Sequence, residues 1–230
     1  MQQTIATLAD IAAQSGMDHI GSTLCATVLF NNHIYTANVG DSAAYLVVLD
    51  QENYISQFKR LNIALHHPTE PAETTRLQLE GKDQFIRFDR LKNLAVSRAI
   101  GDTALVPYGL SHTADTYHDQ VRLPPNGKAF VIVACDGLTE PLQNTEMDIA
   151  LLLQRYQQQN MKEIAVALAE QAFITGSTDN ISVLVTQVDP CAKLPKYMAV
   201  FDGHGGVECA DLLRSHFHPV LKETIVHLSN

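Results

Sequence analysis

The run Val131-Ile-Val-Ala134 is apolar without interruption, opened by Pro124-Pro125-Asn126-Gly127 and closed by Asp136-Gly137. So short an apolar run between turn-forming residues predicts a strand covered on both faces and placed centrally in a sheet. Any fold that holds it needs a layer on each side. The layers are legible as amphipathic helices. Residues 2–14 carry Ile5, Leu8, Ala9, Ala12 and Ala13 at helical spacing, ended by Gly16; 145–157 carry Ile149, Leu152, Leu153 and Tyr156; 161–174 carry Ile164, Leu168 and Ala172. A last helix is expected over 207–228, bent at Pro219. Residues 24–30, 34–39 and 43–49 are β-favouring runs separated by Asn31-Asn32 and Gly40-Asp41, which predicts a meander of antiparallel strands. Further strands are expected at 181–188 and 197–201. Between 51 and 91 the pattern is irregular, with a short helix at 72–79. The mixture predicts one α+β domain over 1–230, its sheets covered by helices on their outer faces.

Composition excludes several classes. Hydrophobic residues at 46% and charged residues at 18% describe an ordinary globular chain rather than a disordered one. A formal charge of −9, with only 16 scattered Lys and Arg, argues against a nucleic-acid surface and suits cation binding, though it also describes a solvated acidic surface. No run approaches the ~18 apolar residues of a membrane span, and the opening Met1-Gln-Gln-Thr-Ile-Ala lacks a leader's basic start. Cys25, Cys135, Cys191 and Cys209 include no C-x-x-C pair, and three of them lie in apolar runs, as core residues do. A cytoplasmic, reducing setting and a monomer are the expectations.

Chemistry enters through three aspartates. If 181–188 and 196–201 form an antiparallel hairpin turning around 189–195, Asp179 before the first strand and Asp202 after the second return to the same end. Asp136 closes the buried strand and reaches that rim if the strand runs alongside. Taken singly, Asp136-Gly137, Asp179-Asn180 and the Gly-flanked Asp202 each read as turns. Together, three carboxylates repel one another unless protonated or bound to cations, and an all-oxygen ligand set selects hard ions such as magnesium or manganese.

These residues fall within segments that resemble a known family. Gly21-Ser-Thr23, Ala37-Asn-Val-Gly-Asp-Ser42, Leu94-Ala-Val-Ser-Arg-Ala-Ile-Gly-Asp102, Val133-Ala-Cys-Asp-Gly137, Ser177-Thr-Asp-Asn-Ile181 and Tyr197-Met-Ala-Val-Phe-Asp-Gly-His-Gly-Gly206 are similar to motifs of the type 2C metal-dependent protein phosphatases. The resemblance spans nearly the whole chain. In the family the Asp-Gly-His-Gly-Gly segment comes first, whereas here it comes last, so a circularly permuted order is expected, with residues 196–230 matching the family's N-terminal motif and first helix.

What the resemblance implies is a four-layer α-β-β-α sandwich with a binuclear magnesium or manganese site. By matching position Asp202 bridges the ions, Gly203 offers its carbonyl, and Asp136 and Asp179 complete the ligands. Asp41 and Glu140 match contacts for a third ion in some members, with Glu140 standing where the family has Asp. His204 matches the residue proposed to protonate the leaving serine or threonine oxygen, and the implied partner is a phosphoprotein substrate. The chain departs from the family in one respect. Family members open with a strand carrying a phosphate-gripping Arg and a Glu-Asp pair, and upstream of Tyr197 stands only Asp189-Pro-Cys-Ala-Lys-Leu-Pro-Lys196. Arg98, Lys193 and Lys196 are available cations, each read first as structural or surface charge. A phosphatase is the favoured reading, and a pseudophosphatase acting as a binding module is the alternative.

Overall fold

The computed structural model describes residues 1–139 and 147–228, with side chains through 225. Glu140, expected as a third-ion contact, lies outside the described residues. Eight strands build two stacked antiparallel sheets. We number them β1 Leu24–Phe30, β2 His33–Val39, β3 Ala43–Leu49, β4 Ile55–Arg60, β5 Asp115–Gln120, β6 Lys128–Ala134, β7 Val183–Gln187 and β8 Lys196–Val200. One sheet has the order β8-β1-β2-β5 and the other β7-β6-β3-β4. The longer helices are α1 Gln2–Gln14, α2 Pro71–Leu79, α3 Met147–Tyr156, α4 Met161–Ile174 and α5 Glu208–Leu228.

Alternation explains the layering. Along β3 and β6, Ala44, Leu46, Val48, Val131 and Val133 point between the sheets, where they meet Cys25 and Leu29 of β1. Their chain neighbours Tyr45, Val47, Phe130 and Ile132 point outward beneath α3 and α4. On the other sheet Leu24, Ala26, Ala37 and Val39 face α1 and α5. A central strand therefore serves two cores at once. A one-residue slip would exchange the two sets, and with each buried Val or Leu worth about 1.5–3 kcal/mol the register is firmly fixed. The α-β-β-α sandwich expected from the sequence is the architecture found, with β6 central as expected.

Two expected strand pairings are wrong. The runs at 181–188 and 196–201 do not form a hairpin: β7 pairs with β6, and β8 pairs with β1 in the opposite sheet. Residues 189–195 cross between sheets. Val183 and Val185 pack under the outer helices while Met198 and Val200 fill the space between sheets, so each strand gains more by joining an apolar partner strand than by pairing with the other. Likewise β2 and β3 are not meander neighbours. The β1–β2 hairpin turns at Asn31-Asn32 as expected, but residues 40–42 then carry the chain across to the second sheet, where β3 pairs with β4 and β6. The expectations from sequence also lacked β4 and β5, edge strands whose outward positions are polar.

A smaller lobe, formed by α2 and residues 82–111, has its own core of Leu77, Leu91, Val96, Ala99 and Leu110. Buried charge holds the lobe together, and Arg98 ties it to β5. Glu73 receives Arg98 Nη2 at 2.5 Å, Arg76 Nη2 at 2.8 Å and Ser97 Oγ at 2.6 Å. Arg98 Nη1 continues to Asp115 Oδ1 at 3.0 Å, and His66 Nε2 lies 3.2 Å from Asp115 Oδ2. His66 Nδ1 accepts the Gly40 amide at 2.9 Å, so Nε2 is the nitrogen that donates to Asp115. Burial and the Arg98 charge lower the His66 pKa.

Candidate active site

At one end of the sandwich, where β6 and β8 stop and β7 begins, a cleft of about 230 Å³ is lined by Asp41, Asp136, Asp179, Asp202, Gly203 and His204. Asp41 stands in the crossing between the sheets. Asp136 opens a four-residue helical turn directly after β6. Asp179 sits on the loop before β7, which is laid against that turn: Ser177 Oγ donates to the Gly137 carbonyl at 2.8 Å, and Cys135 Sγ donates to the Asn180 carbonyl at 3.1 Å. A side chain at Gly137 would place its Cβ 2.3 Å from the Asn180 oxygen, so only glycine lets the two acid-bearing turns close together. The geometric goal of the expected hairpin, Asp179 and Asp202 at one end, is met by edge strands of two stacked sheets instead.

Asp202 comes after β8 and is fixed from both sides. Its carbonyl accepts the Thr23 amide at 2.9 Å, and the next residues form a narrow ladder in which His204 and Gly203 pair with Gly21 and Ser22, which pair in turn with Gly101 and Ile100. That ladder brings His204 Nε2 to 2.5 Å from Asp102 Oδ2. A Cβ on Gly21 would fall 1.9 Å from that same Asp102 oxygen, so the glycine makes room for the pair. Asp102 is buried and held at φ 47°, a left-handed conformation that Asp tolerates better than most residues.

Asp202 stands among like charges. Burial, and after it the charge and hydrogen bond of Asp136 and the charges of Asp41 and Asp179, push Asp202 up to about 7. Asp136 Oδ1 is buried with no hydrogen-bond partner, an arrangement that is costly for an acceptor-only group. Like charges ~4 Å apart near a protein surface repel by about 4 kcal/mol, several times the net worth of a hydrogen bond, so the cluster calls for a counter-charge. Ligand atoms of Cys135, Asp136 and Asp202 lie within 4.8 Å of one another. Cys135 is a poor ligand, because burial raises its pKa and its sulfur is already engaged by Asn180 and the Ser182 amide. The remaining donors are oxygens, which fit hard divalent ions.

A family model described as Protein phosphatase 2C matches residues 1–181. The chain belongs to the protein phosphatase 2C family. Among curated relatives it is 31% identical over 182 residues to the human integrin-linked kinase-associated serine/threonine phosphatase 2C, a match covering 73% of this chain and 45% of that one. The chain thus spans about half the length of the curated relatives it matches. Solved structures share the fold. A C. elegans sex determining protein aligns with TM-score 0.63 at 20% identity, over 81% of this chain and 44% of that one. The catalytic domain of the phosphatase PstP, solved in complex with 2 manganese ions, aligns with TM-score 0.50 at 23% identity, over 80% of this chain and 68% of that one.

Of the residues singled out from sequence, Asp41, Asp136, Asp179, Asp202, Gly203 and His204 converge on one cleft of this phosphatase 2C chain. Two cleft or near-cleft groups were missed. Asp102 stood out only as part of a motif, and asking what holds His204 would have exposed it. Arg90, which lines the cleft, carried no signal of its own. Arg98, an available cation by sequence, is spent on Glu73 and Asp115.

Proposed function

We propose that this protein is a metal-dependent phosphatase that hydrolyses phosphoserine and phosphothreonine monoesters of phosphoproteins. The observation that carries the reading is the convergence of four carboxylates with a buried, unpartnered oxygen on Asp136 beside a histidine held by its own aspartate. Asp136, Asp179, Asp202 and the Gly203 carbonyl would hold a pair of magnesium or manganese ions, with Asp41 beside them as a contact for a third. Such ions supply neutralisation of phosphoryl oxygens and an acidified water at neutral pH. Asp202, pushed up to about 7, would be held ionised by that counter-charge, which couples its protonation to loading. Asp102 occupies His204 Nε2, leaving Nδ1 as the nitrogen that exchanges a proton with the leaving alcohol oxygen. The binding-module alternative gains no support, since the relatives are named as phosphatases and a scaffold has no use for this ligand set.

The circularly permuted order belongs to the same reading. In support, the family match ends at residue 181 while the Asp-Gly-His-Gly-Gly segment lies beyond it, yet Asp202 shares a cleft with Asp136 within a single chain. β8 pairs with β1, and α5 packs on α1 through Ile5, Leu8, Leu213 and Phe217. A monomer in a reducing compartment accords with four free cysteines, and no helix among the described residues is long and apolar enough to cross a membrane.

Hydrolysis of an aryl phosphate and of a phosphothreonine peptide, with manganese or magnesium and then with a chelator, tests the proposal. Metal-dependent turnover lost in Asp202→Asn is the expected outcome. Absence of turnover in wild-type protein that binds manganese by calorimetry overturns it.

A further inference from the structure

We propose that Arg90 is the residue that grips the substrate phosphate; the proposal rests on the phosphatase reading above. Four aspartates line the cleft, and Arg90 is the only Lys or Arg among the described residues that lines it with them. A phosphomonoester dianion entering such a cleft needs a positive side chain with paired donors, and a guanidinium meets phosphate oxygens two at a time.

The local fold aims Arg90 there. Residues 86–87 pair with 90–91, Arg87 opposite Arg90, so Phe88 and Asp89 form a two-residue turn with φ values of 50° and 64°. Left-handed backbone at residues other than glycine costs on the order of 1–3 kcal/mol and persists where surroundings fix it. Here they do. Leu91 is fully buried in the small lobe's core and its amide donates to the Leu94 carbonyl at 2.9 Å. The Lys92 amide donates to the Phe85 carbonyl at 2.9 Å, and its ammonium lies 3.9 Å from the centre of the Tyr108 ring. With Leu91 pointing into the lobe, alternation turns Arg90 the other way, toward the acids.

Its guanidinium is available. Arg90 Nη1 donates to the Asn93 carbonyl at 3.0 Å, and Arg90 makes no ion pair among the described residues. The other candidate cations are placed elsewhere. Arg98 is locked to Glu73 and Asp115. Lys196 pairs with Leu29, at the end of β8 opposite Val200 and the acid rim, and Lys193 belongs to the connection at that far end.

Steady-state kinetics on a phosphothreonine peptide with manganese, and binding of its non-hydrolysable phosphonate analogue by fluorescence anisotropy, test the assignment in Arg90→Gln and Arg90→Lys. Arg90→Gln is expected to raise KM and weaken phosphonate binding about ten- to a hundredfold, the range of hydrogen bonds to charged groups, with manganese affinity and Tm unchanged. Arg90→Lys restores part of the loss. Unaltered KM and phosphonate affinity overturn the proposal, as does a fall in Tm or manganese affinity that accounts for the loss. If wild-type protein shows no turnover, the phosphatase reading fails alone: phosphonate binding still decides Arg90, with weaker binding in Arg90→Gln upholding it and equal binding overturning it.

Discussion

Two groups of buried charge lie on either side of the Gly40 crossing, and they are balanced in opposite ways. Around Glu73 burial would raise the carboxyl, but donation from Arg98, Arg76 and Ser97 outweighs it and holds Glu73 at about 2. Around Asp202 burial acts in the same direction, and here the neighbours Asp136, Asp41 and Asp179 add to it, so the carboxyl stands at about 7. Desolvation is common to both. What separates them is whether the chain itself provides the opposite charge. The Glu73 group is complete: it holds the small lobe together and, through Arg98 and Asp115, joins it to β5. The Asp202 group is incomplete, and it is the incomplete one that opens into a cleft.

The largest expected effect comes from breaking the complete group. Glu73→Gln leaves Arg76 and Arg98 without their shared carboxylate and should destabilise the fold by about 3–5 kcal/mol, read as a loss in denaturant midpoint at unchanged m-value. A loss below about 1 kcal/mol would mean that the charges are screened and the contrast is overdrawn. Asp136→Asn probes the other group and should act in the reverse sense. Manganese affinity should fall by at least about a hundredfold, beyond what outer-shell substitutions cost, while the metal-free protein gains stability. The pH dependence arises from the raised Asp202 value. Its native state holds a proton that the unfolded chain, near the ordinary 3.8, does not, so metal-free stability is fully present below that range and is lost as pH rises through about 7. Calorimetric scans of metal-free protein should show Tm falling from pH 5 to pH 8, and Asp136→Asn should flatten that slope; an unchanged slope would show that Asp136 is not the charge that matters. The smallest effect is expected at Asp102→Asn. Turnover should drop about tenfold, with manganese affinity unchanged, and a drop in Tm of equal consequence would place Asp102 with the structural group.

Much of this was legible from residues alone, for physical reasons. The helices at 2–14 and 161–174 declared themselves by period, and the aspartates by standing where apolar strands stop. Strand partners beyond the β1–β2 hairpin were not legible. A strand apolar on both faces, as β3 and β6 are, satisfies its pattern beside any apolar neighbour, so the sequence could not distinguish a hairpin from a crossing to the other sheet. β4 and β5 hid because edge strands carry polar outward faces, as in Asp115-Thr-Tyr-His-Asp-Gln120. The link from His204 to Asp102 joins residues 102 positions apart. Arg90 depends on which way a two-residue turn throws its side chain, and that is decided by Leu91 finding its small core.

The connection over 189–195 is mostly exposed and contributes no residue to the cleft. The segment beyond it, a strand, a turn bearing Asp202 and His204, and a helix, clips onto the rest through β1 and α1. The molecule is thus built as a socket and a plug that happen to share a peptide bond. Severed within 189–195, the two pieces retain every surface that holds them together, and the cleft would assemble only when the plug is seated, making its acids a reporter of fragment association.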